Sequence, residues 1–513
     1  MNKSITLLLI SATLLFASCD RDDDDIIHND ESLVSQFVYD GMSTYYLWAD
    51  GMKDKKPTAD SARNPAVYFK SLLNPLDARQ GWSWITDDVD ALMNGFAGTP
   101  KDYGWGLGLY YISETSNDIV ALVNYVYPNT PAAQAGIVRG NVINKINGTT
   151  LNDDNYRDLL FSVNTINATV YDQNFANPRN ISMTPVTIQT NPVFFETVFK
   201  DEPEYGGKKI GYLFYTEFIG NYNNKLYEAF QKFRSDGITD LIIDLRYNPG
   251  GDGDAAVYLA SLFAPRSVVE SKSVFSILNY NSFVNKVFDD GDISRKDHFI
   301  NSGTENPLNV NLNLNTVYII ATGNSYSASE YLTFCLKPYM KVIHIGSNTG
   351  GKFTGSWTIH AFNNYRQNDY NRAVPVYDES DLTNSEKSLL QNWAMQPIVL
   401  KYSDKNNNDF ENPGYLAPDY PVTSIEHNPS EWKPIGDTDD YLLNKAISLI
   451  TGMSAQAKVQ RNAKRSVYAF KNAELFSPHT ERLKRAVLFT PPQQKEGVQK
   501  LLMKSMDRNI SND

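Results

Sequence analysis

From about residue 208 onward, short β-branched runs alternate with helical stretches, and this alternation confines the second half of the chain to few folds. The strand-like runs are Lys209 to Phe218, Asp240 to Leu245, Thr316 to Ala321 and Lys341 to Ile345, with helical stretches over Ala255 to Phe263 and Ser327 to Leu336. Such a pattern predicts an α/β sheet with parallel strands. In a sheet of that kind the loops leaving the C-terminal ends of adjacent strands converge on one crevice. Chemistry is therefore to be sought in three loops.

The remaining chain divides by texture. Its 513 residues exceed one ordinary core and predict about three folded units, and a hydrophobic fraction of 42% with 31 Tyr and 25 Phe is enough to fill them. Over residues 32–98, Val34, Phe37, Val38, Met42, Tyr45 and Tyr46 approach helical spacing, which predicts a small helical N-terminal domain. Over 104–190, a glycine-rich stretch Gly104-Trp105-Gly106-Leu107-Gly108-Leu109 leads into strand-like Ile119 to Val123, then Pro131 to Ile137 and Gly140 to Gly148. This stretch resembles a PDZ domain of bacterial proteases. The resemblance implies that Gly106, Leu107, Gly108 and Leu109 bind a peptide, with a glycine turn holding its carboxylate and a strand edge pairing with its backbone.

The first residues read as a leader: one Lys, an apolar run from Ile5 to Phe16, then Ala17, Ser18 and Cys19. The run is shorter than the ~20 residues a spanning helix requires. Leu15 to Cys19 resembles a lipobox, so 1–18 is expected to be a lipoprotein signal peptide and Cys19 the lipidated residue. Residues 19–31 would then form an acidic tether, anchoring the protein to the outer membrane on the periplasmic or the surface side. Cys335, the only other cysteine, sits in an apolar run and reads as a buried structural thiol. A net charge of −12 without a basic, aromatic-interleaved stripe excludes nucleic acid as a partner.

The three loops carry matching chemistry. Arg246-Tyr247-Asn248-Pro249-Gly250-Gly251 follows the first strand, and its paired glycines let backbone amides approach a ligand. Asn324 to Glu330 follows the second and opens a helix, so Ser327 lies where developing negative charge is favoured. Gly346 to Lys352 follows the third and delivers a lysine. A serine hydroxyl needs a neighbouring base. The six His include none in these loops, so a histidine triad would have to recruit His344 or His360, and a lysine desolvated by Phe353 and Trp357 is the simpler base.

Ser327-Ala328-Ser329-Glu330 and Gly351-Lys352, about 25 residues after Ser327, together with Asp244-Leu245-Arg246 and Asn248 to Gly251, resemble the S41 peptidases. These are the C-terminal processing and tricorn-like family. The resemblance spans roughly residues 100–360. It implies a crotonase-like (ClpP/crotonase-type) peptidase core, here over 200–450, within a multidomain α/β protein. It further implies Ser327 as nucleophile, Lys352 as base, and Gly250 or Gly251 with Ala328 as oxyanion donors, acting on exported polypeptides without metal or other cofactor. Where many relatives have a lysine-orienting Gln, this chain has Ser356, so the third member is either Ser356 or absent. A catalytically inactive peptide-binding lipoprotein is the alternative.

Other motifs fall short. Gly346 to Lys352 resembles a phosphate loop, but Phe353 stands where Ser or Thr would hold magnesium. Asp404, Asn406, Asn408 and Asp409 lack the Gly and Glu of a calcium loop. Neither a zinc His-Glu-x-x-His nor a Gly-x-Ser-x-Gly elbow occurs. Residues 454–513 form a tail without a functional reading.

Overall fold

A computed structural model describes residues 30–113, 115–161, 164–362, 373–422, 428–453 and 471–472. The leader, Cys19 and the tether up to residue 29 lie outside the described residues, as does the tail apart from 471–472. Among the described residues no helix is long and apolar enough to cross a membrane.

Helices α1 (Asp30–Tyr45), α2 (Pro65–Leu72) and α3 (Pro75–Gln80) come first. Asn64 and Asn74 cap α2 and α3 by accepting from Val67 N and Leu76 N, each followed by a proline at the position where a missing N–H costs nothing. The sequence predicts a small helical N-terminal domain here, and the structure places its apolar face against the sheet. Phe37, Met42, Tyr45, Tyr46 and Trp82 belong to the same buried cluster as Leu213, Ile243, Ile319 and Trp357. A few short helices cannot enclose a core alone, so their apolar face completes the core of the sheet.

Next comes an antiparallel β module: β1 (Trp105–Tyr111), β2 (Ile119–Val126), β3 (Val142–Ile146), β4 (Ile166–Tyr171) and β5 (Arg179–Met183), neighbours in that order. It has its own apolar cluster, with Leu107 and Leu109 pointing in beside Val123, Ile143, Ile146 and Ile166. Strand alternation then turns Gly106 and Gly108 to the other face. There a side chain on Gly106 would come within 2.4 Å of the Tyr125 ring, so glycine is what lets β1 lie against that tyrosine.

The α/β core contains β6 (Val193–Phe199), β7 (Ile210–Tyr215), α4 (Asn223–Asp236), β8 (Asp240–Asp244), α5 (Gly253–Phe263), β9 (Thr316–Ala321), α6 (Ala328–Cys335), β10 (Lys341–Gly346), β11 (Thr354–Ser356), β12 (Ile398–Asp404), β13 (Tyr420–Pro421) and α7 (Tyr441–Thr451). Its main sheet runs β6-β7-β8-β9-β10-β13, parallel except at the β6 edge. Both faces are covered. Leu213, Leu241, Ile243, Val317 and Ile319 pack with Phe230, Phe233 and Leu259 of α4 and α5. Tyr212, Phe214, Ile242, Ile320 and Ile345 pack with Leu442, Leu443 and Ala446 of α7, and Tyr125 and Tyr127 of the β module join them. This two-sided burial is why the strands read as continuous apolar runs. It also brings the C-terminal ends of β8, β9 and β10 side by side.

Candidate active site

The loops after β8 and β9 are tied together by side chains reaching for main chain. Thr322 Oγ1 donates to Arg246 O (2.6 Å), Ser325 Oγ to Leu245 O (2.6 Å) and Ser329 Oγ to Asn248 O (2.8 Å). Asn248 Nδ2 in turn donates to Tyr215 O (3.0 Å) on β7. Beneath them Arg246, 1% exposed, lies between Asp244 (2.7 Å) and Asp440 (2.8 Å), and Asp440 caps α7. A buried triad like this would be costly to break, because loss of one partner leaves an uncompensated charge. The loop roots are rigid as a result.

Ser327 stands just before α6 with φ 54° and ψ −104°, a backbone conformation that costs a non-glycine residue about 1–3 kcal/mol. Neighbouring bonds hold it there: Ser327 N donates to Glu330 Oε2 (2.7 Å) and its carbonyl receives Tyr331 N (2.7 Å). The side chain is fully buried, and Oγ has no hydrogen-bond partner among the described residues. Oγ makes no hydrogen bond of ordinary geometry to the helix start, although Ser327 and Glu330 stand in a capping-box arrangement.

Lys352 is likewise fully buried, and its Nζ also lacks a hydrogen-bond partner among the described residues. Burial lowers its pKa to about 8, against the pull of the Asp77 and Glu330 carboxylates, which raise it. One carboxylate links it to the serine. Glu330 Oε2 accepts from both Ser327 N (2.7 Å) and Lys352 N (2.8 Å), while Oε1 accepts from Gly351 N (2.7 Å) and Thr349 Oγ1. Tyr402 OH reaches both carbonyls, Lys352 O at 3.1 Å and Ser327 O at 3.5 Å. The two main chains are thus bracketed by the same two residues.

Gly250 presses against the Ser327 segment and Gly251 against the Phe218 main chain. A side chain on Gly250 would meet Ala328 N at 2.9 Å, and one on Gly251 would meet Phe218 O at 2.1 Å, with φ at 109° and 128°. Only glycine fits both positions. The Gly250 amide donates to Asn248 Oδ1 (2.9 Å), which leaves the amides of Gly251 and Ala328 unengaged by the loops' own hydrogen bonds.

Other predicted residues sit elsewhere or differently. Ser356 is buried on β11, opposite Ile398 of β12, and makes no hydrogen bond to Lys352 Nζ. Gly106, Leu107, Gly108 and Leu109 lie within strand β1, which has a register shift between Gly106 and Leu107, and Gly104 (φ 90°) precedes it. Both ring nitrogens of His344 meet carbonyls, Ala417 O and Ala321 O at 3.2 Å. His360 is pushed down to about 4 by burial. Cys335 is buried and its thiol is held well above its ordinary pKa by desolvation. Asp404 folds its own turn, accepting from Asn406 N and Asn408 N. Among the described residues no acidic, His or Cys cluster is arranged to hold a metal ion.

Three contributors escaped sequence reasoning. Glu330 stands in the quoted Ser-Ala-Ser-Glu segment, and a helix-opening acid is a legible signal, but its bonds to the lysine loop are not. Asp77 and Trp82 come from the N-terminal helices. Asp77 is buried and accepts from Tyr46 OH (2.7 Å), Ser83 N (2.8 Å) and Ser83 Oγ (2.5 Å), with desolvation raising its carboxyl. Trp82 donates to Tyr326 OH (3.0 Å) beside the serine and packs edge-on against Phe353 beside the lysine. The N-terminal segment therefore forms part of the wall around the site.

Comparison with known proteins places the chain near peptidases. The model of peptidase family S41 matches residues 209–422, and that of the peptidase S41 N-terminal domain matches 34–84. A CtpA-like serine protease of Staphylococcus aureus (strain bovine RF122 / ET3-1) is 27% identical over 311 residues, 58% of this chain and 53% of the relative. The chain thus spans about half the length of that staphylococcal relative. A carboxyl-terminal-processing protease of Picosynechococcus sp. is 24% identical over 362 residues, covering 69% of this chain and 72% of the relative. A solved structure from Bacteroides fragilis NCTC 9343, assigned to the S41 proteases, superposes with a TM-score of 0.57 at 24% identity, covering 81% of this chain and 97% of the other. That superposition speaks to the fold.

Proposed function

We propose, from the premise that the chain belongs to peptidase family S41, that it is a serine-type endopeptidase of the C-terminal processing class working by a serine/lysine mechanism. The observation that carries this reading is the Glu330 carboxylate shared by the Ser327 and Lys352 amides, beside a buried and unpartnered lysine amine. With a pKa of about 8, about a tenth of the lysine is neutral at pH 7, which is enough to serve as a base.

In the first step Ser327 Oγ attacks the scissile carbonyl carbon while its proton passes to neutral Lys352 Nζ. The electron pair displaced onto oxygen is received by the Gly251 and Ala328 amides at the start of α6. Collapse expels the amine, which takes the proton back from the Lys352 ammonium. Water, deprotonated by Lys352 Nζ, then attacks the acyl carbon, and collapse expels Ser327 Oγ, which takes the proton back from the Lys352 ammonium and restores both groups. Gly250 serves by its lack of a side chain, since its amide is held by Asn248. Asp77 and Glu330 set the lysine's electrostatics, and Ser356 has no part in the scheme.

The β module is read as PDZ-like, capturing an extended polypeptide along the edge of β1, and the core as crotonase-like. Cys19 is read as a lipid anchor that holds the enzyme in the cell envelope. These readings rest on sequence resemblance and on β1 being the outermost of the module's own strands.

The test is hydrolysis of an unfolded, fluorescently labelled polypeptide by the protein and its Ser327→Ala and Lys352→Ala variants across roughly pH 6 to 10. Cleavage lost in both variants establishes the mechanism. Undiminished cleavage in either variant removes that residue from it, and peptide binding without cleavage by the unaltered protein points to an inactive peptide-binding lipoprotein.

A further inference from the structure

The loop after β7 carries a carboxyl group that the serine/lysine scheme does not use. Glu217 is pinned on both sides. Thr216 N donates to Pro192 O (3.0 Å), and Thr216 Oγ1 shares a hydrogen bond with Tyr127 OH (2.9 Å) across the seam to the β module. Phe218 N donates to Gly250 O (2.8 Å), Phe218 O receives Asp252 N (2.8 Å), and Phe218 bridges in parallel to Gly251. Glu217 therefore stands where the module meets the glycine loop. Because the sheet runs β7-β8-β9-β10, it flanks the crevice on the side away from the Lys352 loop.

Its surroundings leave it without a counter-charge. Glu217 is partly buried, and among the described residues it makes no hydrogen bond and no ion pair through its carboxyl group. Burial alone pushes that carboxyl up to about 8. Its charge acts on the hydroxyls of Tyr125, Tyr127 and Tyr215, so tyrosines from both the module and the core gather about it. Tyr125 and Tyr127 pack edge to face at 5.6 Å, while Tyr215 is 1% exposed and its OH has no hydrogen-bond partner among the described residues. A lone carboxylate, aromatic rings and a spare hydroxyl oxygen all favour a positive charge.

We propose that Glu217 forms a subsite for a positively charged side chain, lysine or arginine, of the bound polypeptide at a position flanking the scissile bond. This rests on the chain being a peptidase that acts through Ser327. The long apolar stem of either residue suits the tyrosine rings, and its charged end meets the carboxyl group. The cation favours the ionised carboxylate and draws it back toward its ordinary range. An apolar side chain at the same position leaves the carboxyl as unpartnered as it is in the free protein.

The first arm of the test is digestion of an unfolded polypeptide of mixed sequence by the full chain and by its Glu217→Gln variant, with mass spectrometry reading the residues around each cut. Lysine or arginine enriched about tenfold at one flanking position by the unaltered chain, and not by the variant, is expected. The same preference in both, or no basic preference in the unaltered chain, overturns the subsite. The second arm needs no cleavage. The chain carrying Ser327→Ala, with and without Glu217→Gln, is titrated by fluorescence anisotropy with two labelled unstructured polypeptides that differ only in lysine against norleucine at the same positions. Tighter binding of the lysine polypeptide, lost with Glu217→Gln while the norleucine polypeptide binds both proteins equally, is expected. Equal affinity for the two polypeptides, or a loss of both alike in the variant, overturns the subsite. No cleavage in the first arm together with a Glu217-dependent preference in the second overturns the peptidase reading and keeps the cation subsite.

Discussion

The crevice at the ends of β8, β9 and β10 and the edge of the β module are both framed by glycines, yet they are held by opposite means. Around Ser327 and Lys352 nearly every constraint is polar and buried: the Glu330 carboxylate, the Asn248 side chain, and the Asp244, Arg246 and Asp440 triad. The module is held by an apolar cluster of its own and meets the core through aromatic rings, Tyr125 and Tyr127 against Phe194 and Phe214, with a few polar contacts beside them, Tyr127 OH with Thr216 Oγ1 and Arg139 with Tyr247 OH. Directional bonds with narrow geometry suit a site whose reacting atoms tolerate little displacement. Ring-on-ring packing is less directional, in keeping with the proposed role of the module in receiving varied peptides.

The sharpest way to break this contrast is at the serine. Ser327→Ala should lower kcat by at least about 1,000-fold in a peptide-cleavage assay while leaving the thermal midpoint within a few degrees. Glu330→Gln comes next, because an amide can accept only through one oxygen where the carboxylate serves three backbone amides and a hydroxyl. A fall of about 100-fold in kcat/KM, with roughly 2–3 kcal/mol lost in denaturant unfolding, is expected. Retention of full activity would show that the shared carboxylate does not hold the two loops.

A subtler effect separates charge from scaffold. A base must be deprotonated, so kcat/KM should fall as pH drops through about 8. Asp77 raises the lysine's pKa, so Asp77→Asn should move that limb to lower pH and raise the ratio of activity at pH 7 to that at pH 9. A profile that loses height without moving would assign Asp77 to packing alone. The smallest effect belongs to the module. Gly106→Ala would drive a methyl into the Tyr125 ring, and should raise KM for a long polypeptide about three- to tenfold while turnover of a short peptide stays within about twofold. Equal loss for both substrates would mean that the module's seating reaches the chemistry.

Much of this was legible in the residues. The parallel sheet follows from β-branched runs spaced by helical stretches, and the crevice from the rule that strand ends converge. Ser327, Lys352 and the glycine pair could be picked out because small residues, a helix start and a lysine are local features. The candidate oxyanion donors could be narrowed to the amides of Gly251 and Ala328 only in three dimensions, because the Gly250 amide donates to the Asn248 side chain. Ser356 looked available by spacing, yet it lies on β11 without a bond to Lys352 Nζ. What the N-terminal helices pack against could not be read, because helical periodicity marks an apolar face without saying what that face covers.

By itself, then, the sequence determined the strands and helices that flank the crevice, which loops carry the candidate reactive groups, and that the lysine follows the serine at a separation one crossover can span. These are properties of periodicity and local propensity, which need no partner in space. Only the tertiary structure decided that Asp77 and Trp82 wall the site, that Glu330 joins two loops, and that the lysine amine is stripped of water. Each of these depends on burial or on contact between residues far apart in the chain, and neither is encoded in any window of neighbouring residues.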